Sequence, residues 1–400
     1  MSKKGKAVEV KKVYLGRPGN NVAIGIVGMP NIGKSSLFNL LSKLNVPAEN
    51  YPFCTIDPAF AKIPVPDDRF DKLVQMYKPK SVIPAVLTVH DIAGLVRGAS
   101  EGKGLGNAFL SHITAVDAIF HICRAFRDKD IEHVENSVDP VRDLEIISKE
   151  LIAKDLALVT KHYEDTKKIV DQGRDKSKER LQELKTLTAA KECLEAGTDI
   201  REYGWGNEDI DNLNKLQLLT AKPIVYLVNI SKKDFFRRSN KFLEDIMTYC
   251  SKRSPGSSVI PFSVSFEQEW LDMGEDGQKE FKNPEDPAIP VTTMMPRITT
   301  TGYHALRLIH YFTCGPDEVR CWSIKQGTNA QNAAAVIHTD ISKNFVMAEV
   351  MNYDDLMELG SENEVKKAGK LGQRGRDYEV KDGDCMYFKH NAGSASAKKK

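Results

Sequence analysis

Eight consecutive residues constrain this chain more than any others: Gly28-Met29-Pro30-Asn31-Ile32-Gly33-Lys34-Ser35, a GxxxxGKS pattern. The apolar run Val22 to Val27 precedes it and Ser36-Leu37-Phe38-Asn39-Leu40-Leu41 follows, so a buried strand feeds a turn that opens a helix. In that setting glycines let the backbone wrap an anion with its N–H groups inward, and the helix N-terminus adds positive potential at the same point. Lys34 is placed to bridge β- and γ-phosphates, and the Ser35 hydroxyl to ligate Mg²⁺. The pattern predicts a nucleotide-binding phosphate loop.

At 400 residues the chain exceeds one ordinary core, which implies two or three domains. A net charge of +2 is too small to argue for a nucleic-acid partner without local clustering. No apolar run approaches the ~20 residues of a membrane span, and Met1-Ser2-Lys3-Lys4 leads into no apolar segment, so a soluble cytoplasmic protein is expected. The seven cysteines are scattered with no CxxC pair, which suits reduced thiols and suggests no zinc site.

Two loops behind the phosphate loop carry switch chemistry. Thr55, in Glu49 to Pro58, is either a threonine that reaches Mg²⁺ and the γ-phosphate or an ordinary turn residue. Pro84 to His90 reads as a buried strand delivering Asp91-Ile92-Ala93-Gly94; Asp91 can hold a water on Mg²⁺, and the Gly94 N–H can approach the γ-phosphate. The next residue, where Ras-like enzymes place a water-orienting Gln, is Leu95, which has no hydrogen-bonding group. Glycines at 94, 98, 102, 104 and 106 argue for a mobile second switch, whose Arg97 and Lys103 are either within reach of the phosphates or, by default, solvated loop charges.

Asp117 to Phe126 reads as a third buried strand, in which His121 shares a face with Ile119 and Cys123 and reads more readily as a core side chain than as a catalytic one. Leu144, Ile147, Leu151 and Leu158, then Leu181, Leu184, Leu187 and Leu194, predict two long helices joined near Gly173. Lys222 to Asp234 returns to strand and loop. Guanine-binding loops read NKxD there, the Asp accepting two base N–H groups, whereas this chain has Asn229-Ile230-Ser231-Lys232. Lysine has no acceptor, so weak guanine selectivity follows and adenine is permitted. Val259 to Ser265, including Ser263, matches a strand and serine-rich turn that closes a base pocket. A proline-rich stretch from Asn283 to Pro290 precedes a segment, Arg297 to Phe312, that reads as helical, with strands at Val319 to Lys325 and Cys385 to Lys389.

Assembled, MPNIGKSSLFN, AENYPFCTIDP, DIAGLVRGA, GLGNAFLSHI, VYLVNIS, GPDEVRCWSIKQGT and AGK followed by GRDYEVKDGD resemble the Obg-like ATPases, the YchF branch of the translation-factor P-loop proteins, from about residue 20 to 390. The resemblance implies an α/β fold: an Obg-type P-loop domain (residues 21–139 and 200–283) with an inserted antiparallel helical hairpin (140–199), a linker (284–301) and an α+β TGS domain of ubiquitin-like β-grasp form (302–389). Residues 1–20 and 390–400 would be tails. It further implies nucleotide contacts at Asn31, Ile32, Gly33, Lys34, Ser35 and Ser36, Mg²⁺ on Ser35 and Thr55, ATP as substrate, a histidine replacing the missing Gln, which maps to His121, a residue beside the base at Phe126, and adenine contact by Ile230. The implied partners are the ribosome, the large subunit foremost, and RNA, with no membrane and a monomeric state; stimulation by K⁺ stays open. Lys232 departs from the glutamate usual at its position, and Ser36 from a common threonine. The leading expectation is a slow ATPase switch. The alternatives are an ATP-gated ribosome-binding module whose hydrolysis is incidental, and an ordinary GTPase, for which Asp234 would have to supply the base acceptor.

Overall fold

Strand and helix assignments follow the apolar pattern closely around the phosphate loop. The computed structural model describes residues 14–16, 20, 22–44, 60–92 and 112–391. Thr55, Gly94, Leu95, Arg97, Lys103 and the two tails beyond residues 14 and 391 lie outside the described residues.

The first sheet has six strands in the order β2 (Phe60–Pro64), β4 (Val86–Asp91), β1 (Ala23–Val27), β5 (Ala118–Arg124), β6 (Ile224–Asn229) and β7 (Val259–Phe262). All neighbours run parallel except β2, which pairs antiparallel with β4 at the edge. Central strands of such a sheet are covered on both faces, and accordingly every residue of β5 and β6 is buried. Alternation divides the two faces. Gly302 of the helix Met295–Ala305 leaves room for the Phe120 ring, since a Cβ there would meet it at 2.4 Å. Cys123 faces Asp143 and Cys250 on the opposite side. The carboxyl ends of β1, β4, β5 and β6 then converge where open α/β sheets bind ligands.

The predicted hairpin is present as helices Pro140–Asp171 and Lys178–Glu195. Asp139 and Ser177 cap them by accepting from Arg142 N and Arg180 N, and Gly173 turns between them at φ 66°. Leu144, Ile147 and Leu151 join the main core, whereas Val159, Leu187 and Leu194 form a core of their own with Ile200, Leu213 and Leu218. Near the turn the apolar stripe thins: Leu181 is 46% exposed.

The second sheet runs β11 (Gly372–Arg374), β10 (Phe345–Asn352), β12 (Asp384–His390), β8 (Leu308–Cys314), β9 (Glu318–Lys325) and β3 (Ser81–Ile83). A hairpin, β8–β9, leads into the helix Ala330–Ile337, and the last strand lies parallel beside the first, which is a β-grasp order. Two expectations need correction. Arg297 to Phe312 is not one helix: the helix ends at Ala305, Arg307 takes φ 55°, and Leu308–Cys314 is a strand, because its apolar side chains are wanted on both faces of the second sheet. The stretch expected as linker is helical from Met295 onward and packs on the first sheet. The second sheet also draws its edge strand, β3, from between β2 and β4.

Candidate nucleotide-binding site

The phosphate loop leaves β1 at Val27 and enters the helix Lys34–Lys43 at Gly33. Gly33 has φ 100°, and a Cβ there would come within 2.6 Å of Asn229 Nδ2; at Gly28 a Cβ would meet the Ile122 carbonyl oxygen at 2.5 Å. Both positions therefore require glycine. Asn31 also takes a left-handed conformation, φ 60°, and its amide donates to the Glu132 carbonyl at 3.4 Å. Ile32 is buried and anchors the loop, whereas Ser35 and Ser36 are exposed at the helix start.

Lys34 is 7% exposed, and its Nζ donates to Met29 O at 2.6 Å. Burial pulls its pKa down from 10.5 to about 8, partly offset by the Asp91 carboxylate. Asp91 ends β4, accepts from the Ser35 hydroxyl, and has its pKa raised by burial against the opposing effects of Lys34 and Ser35. A hydroxyl and one carboxylate side by side, both hard oxygen donors, suit Mg²⁺, which keeps several waters and takes few protein ligands. Ser35 and Asp91 would hold it. Among the described residues no group of three or more His, Cys, Asp and Glu side chains is placed to bind a metal.

The base loop follows β6. Asn229 pairs in register with Arg124, and its side chain is fully employed: Nδ2 donates to Ile32 O at 3.0 Å and Oδ1 accepts from Val264 N at 3.2 Å. It thus ties the phosphate loop to the turn after β7. Ile230 is 3% exposed and donates its N–H to Phe262 O. Ser263 is fully buried, its Oγ 3.1 Å from Ser265 Oγ. Lys232 opens the helix Lys232–Arg237 and pairs with Glu269 at 2.6 Å; Asp234 accepts from Asn240 Nδ2 at 2.8 Å.

Phe126 is half-buried just beyond β5, beside Asn229, whose carbonyl accepts from Ala125 N at 2.8 Å. His121 lies lower on the same strand, in register with Val27, one residue before the phosphate loop. It is 1% exposed, its ring centroid 5.6 Å from that of Tyr226, and neither ring nitrogen has a hydrogen-bond partner. Burial, with a smaller contribution from Arg201, lowers its pKa to about 3, so the ring is neutral. Two residues that sequence reading passed over, Arg124 and Asn240, hold the loop at Phe126. Arg124 was visible only as a charge at the end of an apolar strand.

A phosphate loop between the first strand and helix of a parallel sheet, an aspartate at the end of the neighbouring strand, and a base loop after β6 define a P-loop nucleotide-binding protein. Comparisons agree. The family model MMR_HSR1, "50S ribosome-binding GTPase", matches residues 23–162, and the model YchF-GTPase_C, "Protein of unknown function (DUF933)", matches residues 308–391. Obg-like ATPase 1 of Caenorhabditis elegans is 51% identical over 401 residues, covering 100% of both chains. Its counterpart in Schizosaccharomyces pombe is 49% identical over 389 residues, covering 96% of this chain and 98% of that one. The solved Schizosaccharomyces pombe YchF GTPase superposes with a TM-score of 0.86 at 49% identity, covering 94% of this chain and 100% of that one. A GTP-binding protein from Pyrococcus horikoshii shares the fold at a TM-score of 0.54 and 19% identity, covering 92% of this chain and 100% of that one. The chain belongs to the Obg-like ATPase family.

Proposed function

We propose that this protein is a Mg²⁺-dependent ATP hydrolase that takes ATP in preference to GTP and acts as a nucleotide-gated switch on the ribosome. The observation that carries the base preference is the state of the loop after β6. A guanine needs a carboxylate turned to accept from N1–H and N2–H₂; the position that supplies it in an NKxD loop is Lys232, which has no acceptor and pairs with Glu269, and Asp234 already accepts from Asn240 through Oδ2. Leaving two base donors unpaired costs about 1–3 kcal/mol. Adenine presents one acceptor and one donor, which backbone groups near Ile230 and Ser231 can meet. The names differ on the nucleotide, ATPase for the curated relatives and GTPase for the family models and the solved structure, so the proposed preference rests on the loop chemistry.

Lys34 supplies positive charge to the phosphates, Ser35 and Asp91 hold the metal, and the phosphate-loop N–H groups from Asn31 to Ser36 cradle the anion. Mg²⁺, when bound, neutralises charge on the β- and γ-oxygens. Thr55 and Gly94 complete the proposed set as switch residues, and His121 would take the water-positioning role that Leu95 cannot only by turning its buried ring out of the core toward the phosphates. The ribosome as partner, with the large subunit and its RNA as the surface, follows the description of the family model over the nucleotide domain. The β-grasp domain, read as TGS, is the proposed contact. No described helix is long and apolar enough to cross a membrane.

A paired titration of nucleotide-free protein with ATP and GTP in Mg²⁺, then turnover with and without ribosomes, tests the reading. ATP binding at least about tenfold tighter, with ribosome-stimulated hydrolysis, supports it; tighter GTP binding overturns it. The burial of His121 without a hydrogen-bond partner among the described residues favours a second reading, in which the ATP-bound shape is the function and hydrolysis is incidental. His121→Ala separates the two: full cellular function without turnover favours the binding module.

A further inference from the structure

Arg124 is the last residue of β5 and, although charged, is only 1% exposed. Its guanidinium makes three hydrogen bonds, all to backbone carbonyls of the loop that follows: Nε to Phe126 O at 3.0 Å, Nη1 to Ile131 O at 3.2 Å and Nη2 to Asp128 O at 3.3 Å. The same guanidinium lies 4.9 Å from the centroid of the Phe126 ring. Such a fork closes a loop without using any carboxylate, and the stacked cation fixes one face of the aromatic ring. A second strut acts on the preceding residue, Asn240 Nδ2 donating to Ala125 O at 2.7 Å and to Asp234 at 2.8 Å. The far end of the loop meets the phosphate loop where Asn31 donates to Glu132 O.

We infer that Arg124, braced by Asn240, is a positioning residue that presets the Phe126 ring as a platform for the nucleotide base. This rests on the proposed placement of Phe126 beside the base. A half-buried phenylalanine on a loop with no regular structure would have to be immobilised by the ligand, and that ordering would be subtracted from affinity. With one face occupied by Arg124 and the loop carbonyls held, the ring is ordered before nucleotide arrives. The engagement of Asp234 with Asn240 belongs to the same device: Oδ2 of the carboxylate orients the amide that holds the Ala125 carbonyl. Preorganisation of the aromatic loop thus draws on one hydrogen-bonded chain, Asp234–Asn240–Ala125.

The test compares ligands with and without a base on the full-length protein: ATP, ADP and inorganic triphosphate, with Arg124→Lys, Asn240→Ala and Phe126→Ala. Lysine keeps the charge, but its single ammonium nitrogen lacks the planar fork that spans the three carbonyls. Arg124→Lys is expected to weaken ATP and ADP about tenfold while triphosphate binding stays within about twofold, and to raise KM with kcat unchanged at saturation. Asn240→Ala is expected to shift ATP and ADP the same way by about threefold, and it carries the test if the arginine variant does not fold. If Phe126→Ala weakens ATP but Arg124→Lys and Asn240→Ala do not, the inference falls and the base-platform reading stands. If Phe126→Ala leaves ATP unchanged, that reading falls and the inference with it. Equal loss of ATP and triphosphate in Arg124→Lys would make the arginine merely structural and overturn the inference.

Discussion

Lys34 and His121 are both buried bases with lowered pKa values, and their pH signatures point in recognisable directions. In the ligand-free protein Lys34 loses its proton near pH 8 instead of 10.5. The unfolded chain therefore binds more protons across that window, and stability rises with pH through it. Phosphate binding requires the charge, so ATP affinity is expected to fall by up to about tenfold per pH unit above 8, measured by titration between pH 7 and 9.5. Opposite trends in affinity and stability are the mark of this lysine, and Lys34→Met should abolish both. His121, neutral down to about pH 3 when folded and to about 6.5 when unfolded, makes the protein lose stability as pH falls below 6.5. Each unit is worth about 1.4 kcal/mol. His121→Phe should flatten that slope in urea unfolding at pH 7, 6 and 5. The phosphate loop was legible in sequence because its glycines, lysine and serine act through neighbours in the chain. Arg124, Asn240 and the commitment of Asp234 were not, because their partners come from other elements.

Among elements, the helical hairpin was readable from leucine spacing, but what fixes it to the nucleotide domain was not. Asp155, 2% exposed, accepts from Leu219 N at 3.0 Å, Thr220 N at 2.7 Å and Thr220 Oγ1 at 2.7 Å, pinning the first hairpin helix to the approach to β6. Asp155→Ala leaves three buried donors unmet and should cost about 3 kcal/mol of unfolding free energy. Asp155→Asn retains one acceptor and should cost less, a ranking that denaturant titration can read. The misread element, Leu308–Cys314, has the opposite lesson. Leu308, His310, Tyr311 and Phe312 are all buried, so no period-two alternation survives to announce a strand. Its partners lie at Glu318–Lys325 and Asp384–His390, and only the pairing reveals it.

At the scale of the molecule, the second sheet is not an appendage reached through a free linker. Besides borrowing β3, it is clamped at the segment after β2: Asp67 accepts from Arg69 at 2.8 Å and is 2.8 Å from His310 Nδ1, while Arg69 Nη1 reaches Asp382 at 2.9 Å and Asp382 accepts from His310 N at 2.8 Å. These hydrogen bonds, led by those from His310 and Arg69, hold the Asp67 carboxyl well below the usual carboxylate range despite its burial. Asp67 also caps the helix Asp68–Tyr77, so one side chain serves a helix start and a domain contact together. Sequence could not show this, since Asp67 and His310 are 243 positions apart. Because Arg69 is partly exposed, its removal should cost less than a fully buried partner would, about 2 kcal/mol. The loss should appear in the C-terminal half first. In Arg69→Ala, calorimetry is expected to resolve two transitions where a single one is expected of the parent, with early proteolytic cuts beyond residue 305; a single transition shifted as a whole would mean that β3 and the shared apolar core, which joins Phe70 and Phe120 to Phe312 and Cys385, suffice to couple the two sheets.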